Sequence, residues 1–272
     1  MKLKGIKICL YICCCMAVLF SLQGCAKQAT VVEYAELKAS IDNNEDMVLI
    51  DVRPPADFKA GHLQNAINID LSTFANTDGS LINNGEALTL VVTDKSKKIV
   101  AYCFGYGNDK IFADAAIGLG YTNVYRYAGG TTDWSEQGDY YVIDYDAFKA
   151  WHDAKYPFDN SENYLIDDLP VAWYTGDDPS HPGGHIPGAI NIPVEQWAGT
   201  GGVLVNNGTA FSSVVTNKDA MVVIYCGNMA CGKSLAGAQA AVAMGYKHVY
   251  RYQGGWQEWK DKGNGLTPGD QP

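Results

Sequence analysis

Outside its first residues this 272-residue chain has no cluster of Lys or Arg, and its formal net charge is −10. A chain this acidic carries no electrostatic footprint for a phosphate backbone, which excludes nucleic acid as a partner. No two His or Cys residues stand at zinc-finger spacing and no HExxH occurs, so neither a metal site nor another cofactor is expected. No long Pro- or Ser-rich linker interrupts the chain. The apolar run Ile8 to Phe20 falls short of the ~20 residues that span a bilayer. What is present points to folded domains: hydrophobic residues make up 47%, enough for real cores. At this length two domains of ordinary size are expected.

Lys2, Lys4 and Lys7 precede that apolar run, and Leu22-Gln23-Gly24-Cys25 closes it. A basic start, a short apolar core and a small residue at the end describe a cleaved signal peptide over residues 1–24. The ending resembles the lipobox of bacterial lipoproteins, from which it departs at Gln23. The resemblance implies lipid on Cys25 and an exported chain held at the cell envelope, in the periplasm or on the cell surface. An ordinary signal peptide with an incidental cysteine is the alternative. Loss of residues 1–24 removes three lysines and no acids, so the charge moves from −10 to −13.

Cysteine is scarce in what remains. Of the eight, Cys9, Cys13, Cys14 and Cys15 leave with the signal and Cys25 is the lipidation candidate, leaving Cys103, Cys226 and Cys231. An exported chain usually pairs its cysteines, and an odd remainder reads better as chemistry than as a disulfide scaffold.

The chain is organised around Met221 to Ser234, where MVVIYC runs into GNMACGKS and then an Ala-rich segment. A buried strand, a tight Gly-rich loop and the first turn of a helix are expected there. Such a turn aims backbone N–H groups and the positive helix end at one spot, which suits an anion. A thiol heading the loop is expected to have a lowered pKa and to act as a nucleophile. A second version, KKIVAYC then FGYGNDK, surrounds Cys103.

The two loops belong to one unit written twice. VVEYAELKASIDN matches VIDYDAFKAWHDA, MVLIDVR matches NYLIDDL, GHLQNAINID matches GHIPGAINIP, and GYTNVYRYAGGTTDW matches GYKHVYRYQGGWQEW. Strands alternating with helical segments argue for parallel βαβ units. The boundary falls near Gly138–Asp139, giving domains at 31–138 and 140–265 that are expected to pack together. Cys103 to Gly120 is 17 residues whereas Cys226 to Gly245 is 19, so the second loop is expected to be wider.

Taken in order, IDVR, GH with AINI, a strand ending in YC, a short loop and GGxxxW resemble the rhodanese family, twice over, from about residue 31 to 262. The resemblance implies two tandem α/β domains, each a doubly wound, mostly parallel sheet flanked by helices. It also implies a sulfurtransferase, whose cysteine takes sulfane sulfur from a small anion such as thiosulfate or a polysulfide. The persulfide then passes to cyanide, a thiol or a sulfur-carrier protein. Cys226 is the leading catalytic candidate and Cys103 the second. The backbone of Gly227, Asn228, Met229, Ala230, Cys231 and Gly232 is the candidate anion cradle, with Lys233 adding positive potential and Arg53, of the DxR motif Asp51 to Arg53, supporting the site. Cys231 is either a resolving thiol or a loop filler.

The departures keep other readings open. Asp109 stands where a Ser or Thr commonly closes the loop, and a carboxylate there opposes an anion. Domain 2 reads Asp167-Asp168-Leu169 in place of DxR and carries the insertion VAWYTGDDPSHPG. A non-catalytic binding module is one alternative. A thiol–disulfide, arsenate- or phosphate-type cysteine site at the wider loop is another. His62, His185, Trp134, Trp259 and the VYRY tyrosines are read as structural, and the GG pairs as tight turns.

Overall fold

The computed structural model describes residues 28–269. The signal segment and Cys25 lie outside them. Two five-stranded sheets account for the fold. The first holds β1 (Thr30–Val31), β2 (Met47–Asp51), β3 (Ile67–Asn68), β4 (Lys98–Tyr102) and β5 (Val124–Tyr127), in the order β1-β5-β4-β2-β3. The second holds β6 (Tyr141–Ile143), β7 (Asn163–Asp167), β8 (Ile190–Asn191), β9 (Met221–Tyr225) and β10 (His248–Tyr252), in the order β6-β10-β9-β7-β8. Every pairing is parallel and the two orders are equivalent, so the repeat in sequence is a repeat in topology.

Both faces of each sheet are covered, which is why the central strands are nearly continuous apolar runs. In β4, Ile99 and Ala101 pack with Phe112 and Ala116, while Val100 and Tyr102 pack on the opposite face with Leu37 and Trp134. In β9, Val222 and Ile224 face Ala238 and Trp197, and Val223 and Tyr225 face Phe148 and Trp256. Each such side chain contributes about 1.5–3 kcal/mol by leaving water, which fixes the central strand and whatever follows it. Cys103 and Cys226 come directly after these strands, at the carboxyl ends where the chain order in the sheet reverses, the usual place for a site in an open α/β sheet.

The domains touch without an intervening linker. His62 and Val142 exchange backbone hydrogen bonds at 2.9 and 2.8 Å, and Lys59 pairs with Asp146 at 2.8 Å. In domain 2 the corresponding histidine, His185, makes the same antiparallel bridge to Thr267 near the chain's end. No helix among the described residues is long and apolar enough to cross a membrane.

Candidate active site

Each cysteine is held by the strand before it and by the glycine pair more than twenty residues after it. Gly255 has φ +62°, and a Cβ there would lie 2.2 Å from the Cys226 carbonyl oxygen; at Gly130, φ +58°, the gap to the Cys103 oxygen would be 2.3 Å. Only glycine permits that approach. The amides that follow, Trp256 and Thr131, then donate to the Cys226 and Cys103 carbonyls, each at 2.9 Å. The GG pairs are therefore more than turns, since they clamp the cysteine backbone.

The helices after the two loops are equally long, Asn108–Gly118 and Lys233–Ala243. Loop 1 is residues 104–107 and loop 2 is residues 227–232, so the extra length of domain 2 lies in the loop. Asn228 turns loop 2 tightly: its side-chain oxygen accepts from the Ala230 amide and its carbonyl from the Cys231 amide, both at 3.0 Å. Asn228, Met229 and Ala230 form an exposed crown, while Gly227 is buried beneath it. Gly227 lies under the inserted segment, where Trp173 and His181 stack at 3.6 Å.

Around Cys103 the sulfur donates to Asp109 Oδ1 at 3.3 Å and accepts from the Gly105 amide at 3.3 Å. Asp109 is fully buried and paired with Arg126 at 2.8 Å. The carboxylate that sequence placed against an anion is therefore paired with an arginine from β5, and it also accepts the Cys103 hydrogen bond. A thiolate or persulfide at Cys103 would face that carboxylate.

Domain 2 keeps the arginine and loses the acid. Arg251, in β10, occupies the position of Arg126 in β5, and Ser234 the position of Asp109. Ser234 Oγ accepts from Arg251 Nε at 3.0 Å and from the Cys226 thiol at 3.2 Å, so once that thiol ionises the Ser234 hydroxyl can turn and donate to the sulfur. The remaining Arg251 donors go to Gln64 (2.9 Å), Gln253 (3.3 Å) and the Cys231 carbonyl (3.3 Å), all uncharged. Among the described residues no carboxylate pairs with it, so a positive charge only 3% exposed stands beside the cysteine loop. Burial pulls this guanidinium down, and the cysteine pair beside it pushes back.

Cys226 and Cys231 are free thiols, and Cys226 Sγ donates to the Cys231 carbonyl at 3.3 Å. The neighbouring Cys231 thiol first, and burial second, push Cys226 up. The Cys226 thiol in turn draws Cys231 down to about 5 against its own burial, helped by the Lys233 and Gly227 amides and by Arg251. As a unit the pair gives up its first proton readily and its second reluctantly.

The other candidates fall outside this core. Lys233 turns away to pair with Glu195, so the cation at the thiols is Arg251 and not Lys233. Arg53 is locked onto Asp51 at 2.6 Å, donates to the Gly61 carbonyl at 2.6 Å and lies over the Phe104 ring at 5.1 Å, bracing loop 1 from below. His62 and His185 bond through Nδ1 to the Phe58 and Tyr174 carbonyls, each at 3.0 Å, and stack on those residues' rings. Burial holds His62 down at about 4. In place of DxR, Asp167 accepts from the Leu169 amide (2.8 Å) and Tyr225 hydroxyl (2.7 Å), and burial raises it to about 7. Among the described residues no three His, Cys, Asp or Glu converge as a metal site.

Sequence reading missed Gln64 and Arg251. A cleft of about 330 Å³ between the domains is floored by Cys231, Gly232 and Arg251 and walled by Asn44, Gln64 and Asn65 from domain 1. Gln64-Asn65 stand where the domain 2 repeat has Pro187-Gly188. That difference, and an arginine kept at one place in both copies, were the available signals.

The family model described as Rhodanese-like domain matches residues 33–137 and 152–262. The chain is 36% identical over 104 residues to the adenylyltransferase and sulfurtransferase UBA4 of Candida albicans, covering 36% of this chain and 22% of that protein. It is 33% identical over 105 residues to the thiosulfate sulfurtransferase/rhodanese-like domain-containing protein 3 of Mus musculus, covering 38% of this chain and 66% of that protein. The chain thus spans less than two thirds of either relative. The crystal structure of Tum1 from Saccharomyces cerevisiae aligns with 90% of this chain and 99% of its own, at 12% identity and TM-score 0.38.

Proposed function

The chain belongs to the rhodanese-like domain family, and from that premise we propose that domain 2 is a sulfurtransferase site working through a persulfide on Cys226. A thiosulfate- or polysulfide-type anion delivers its sulfane sulfur to Cys226, and a thiol, cyanide or sulfur-carrier protein removes it. The observation that carries this reading is the relay from Arg251 through Ser234 to Cys226, with no carboxylate in it. A fixed cation and hydroxyl stabilise negative charge at the sulfur, and a buried anion is tolerated only where such donors exist.

Domain 1 favours a different role. With Arg126 neutralised by Asp109, Cys103 lacks that support, and domain 1 acts as a non-catalytic partner that walls the cleft. A phosphate- or arsenate-type site is disfavoured because the Ala230 and Cys231 amides are already bonded to Asn228. The basic start and the Leu22-Gln23-Gly24-Cys25 ending support export and lipid anchorage at Cys25, so that Cys25→Ser should move the chain from the membrane fraction to the soluble one.

The deciding experiment is thiocyanate formation from thiosulfate and cyanide by wild type and each Cys→Ser variant. Cys226→Ser should abolish turnover and Cys103→Ser should leave it within about twofold, near the measurement's own margin for a distant, independent site. Loss of turnover in Cys103→Ser alone would reverse the assignment.

A further inference from the structure

Cys226 is 1% exposed, behind loop 2, whereas the half-buried Cys231 floors the interdomain cleft. Cys226 Sγ donates to the Cys231 carbonyl at 3.3 Å, so loop 2 folds the second cysteine back onto the first. Domain 1 has no counterpart of Cys231, since its loop reads Phe104-Gly105-Tyr106-Gly107. A sulfur loaded on Cys226 thus has a second thiol on its own loop, placed between it and the open cleft.

We propose that Cys231 attacks the inner sulfur of the Cys226 persulfide and expels hydrosulfide, which makes domain 2 a sulfane-sulfur reductase as well as a transferase. The inference rests on the persulfide reading above. The step balances as Cys226–S–SH plus Cys231–S⁻ giving Cys226–S–S–Cys231 plus HS⁻. The new bond joins the two cysteine sulfurs, and the bond to the outer sulfur breaks. The outer sulfur leaves with the electron pair and keeps its proton, so it is reduced while the Cys231 sulfur is oxidised and the Cys226 sulfur, already oxidised when the persulfide formed, is unchanged. An external dithiol then reopens the disulfide by exchange.

Attack on the outer sulfur would instead move the persulfide to Cys231, with the Cys226 thiolate as leaving group. Exchange favours the leaving group of lower pKa. The neighbouring Cys231 thiol and burial hold the Cys226 thiol high, whereas hydrosulfide derives from an acid stronger than an ordinary thiol. Expulsion of hydrosulfide is the easier route. Cys231 is suited to the attack, because Arg251 donates to its carbonyl at 3.3 Å and, with the Gly227 and Lys233 amides, favours the charged form of the thiol. The hydrosulfide leaves into a cleft where Arg251 and the side-chain amides of Gln64 and Asn65 stand beside Cys231, with one carboxylate, Asp42, also in the lining, and the exposed crown of Asn228 to Ala230 leaves the disulfide open to a dithiol protein.

The test is an anaerobic single turnover of the reduced, desalted mature chain with one equivalent of thiosulfate and no added thiol. Free sulfide is measured by colorimetry and the acid-quenched protein by intact mass. Wild type should release up to about one equivalent of sulfide and lose about 2 Da, the disulfide rung of thiol oxidation. Cys231→Ser and Cys231→Ala should release none and gain about 32 Da at Cys226. A wild type that releases no sulfide, or that carries the added sulfur on Cys231, overturns the inference. The Cys231 variants report separately on the reading beneath it: if they gain no sulfur, the Cys226 persulfide assignment falls as well, and if they gain it while wild type releases nothing, only the reductase step falls.

Discussion

Ser234→Asp would rebuild in domain 2 the arrangement seen around Cys103. Ser234 Oγ lies 3.2 Å from Cys226 Sγ and 3.0 Å from Arg251 Nε, so an aspartate there reaches both. Two unit charges about 4 Å apart interact by about 4 kcal/mol at an effective dielectric near 20. Arg251 offsets part of this by pairing with the new carboxylate, as Arg126 does with Asp109 at 2.8 Å. A net penalty of about 2 kcal/mol on the Cys226 thiolate corresponds to roughly 1.5 pKa units. The assay is the rate of alkylation of Cys226 by a small reagent across pH 5 to 10, followed by peptide mass, in a Cys231→Ser background that removes the neighbouring thiol. Ser234→Asp should move the midpoint up by about 1.5 units, and Ser234→Asn should leave it within about half a unit. An unmoved midpoint in Ser234→Asp, or an equal shift in Ser234→Asn, would refute the charge argument for domain 2.

The converse change, Asp109→Ser, frees Arg126 and should speed alkylation of Cys103 at pH 7 by about tenfold, the equivalent of about 1.4 kcal/mol; an unchanged rate would mean that access, not charge, keeps Cys103 quiet. Gln64→Glu puts a carboxylate on Arg251 from across the domain boundary. Sulfur loading at pH 6 should slow by about tenfold and recover toward pH 8, and a pH profile identical to wild type would remove Gln64 from the site. Asp168 is fully buried with no hydrogen bond to its carboxyl oxygens, and burial first, then Asp167 beside it, raises it well above the carboxylate range. Below about pH 4 this acid is neutral in folded and unfolded chains alike; above that only the folded chain keeps the proton, so stability falls as pH rises. Asp167, raised to about 7, adds to the loss up to neutrality. Asp168→Asn should therefore melt higher than wild type at pH 8 and nearly with it at pH 4, and parallel melting curves at both pH values would contradict the linkage.

Repetition made the fold legible. Five paired motifs in one order announce two copies of a parallel α/β unit, because each motif marks a position where the backbone admits few residue types. The two cysteine loops and the extra length of the second were readable for the same reason, since a spacing difference between copies must go somewhere and the helices had no room for it. Electrostatic partners were another matter. Asp109 looked hostile to an anion until Arg126 was found against it, and Lys233 looked favourable until it was found on Glu195. Pairings of this kind depend on which side chains meet across strands and loops, and spacing along the chain does not encode that. Gln64 meets Arg251 across the domain boundary, where no local pattern reaches.

The comparison of copies also separates what duplication kept from what it changed. Both retain the arginine on the last strand, the glycine clamp on the cysteine carbonyl and the tyrosine before the cysteine, whose hydroxyl accepts from the Leu63 or Ile186 amide at 3.1 Å. These serve the position of the sulfur, which both copies need in order to fold the same way. The differences fall on charge and on contact. The acid facing the arginine in one copy is a serine in the other, so the same cation holds a carboxylate in domain 1 and a cysteine loop in domain 2. The loop after the GH histidine is Pro187-Gly188 in domain 2, whose histidine is bridged by the chain's own end at Thr267, and Gln64-Asn65 in domain 1, whose histidine is bridged by β6. Domain 1 thereby brings an amide to Arg251, a buried cation with no acid on it among the described residues. Domain 2 in isolation would keep both thiols but lose Gln64 and one wall of the cleft, so the proposed site is assembled by the pair of domains, even though both of its thiols come from the second.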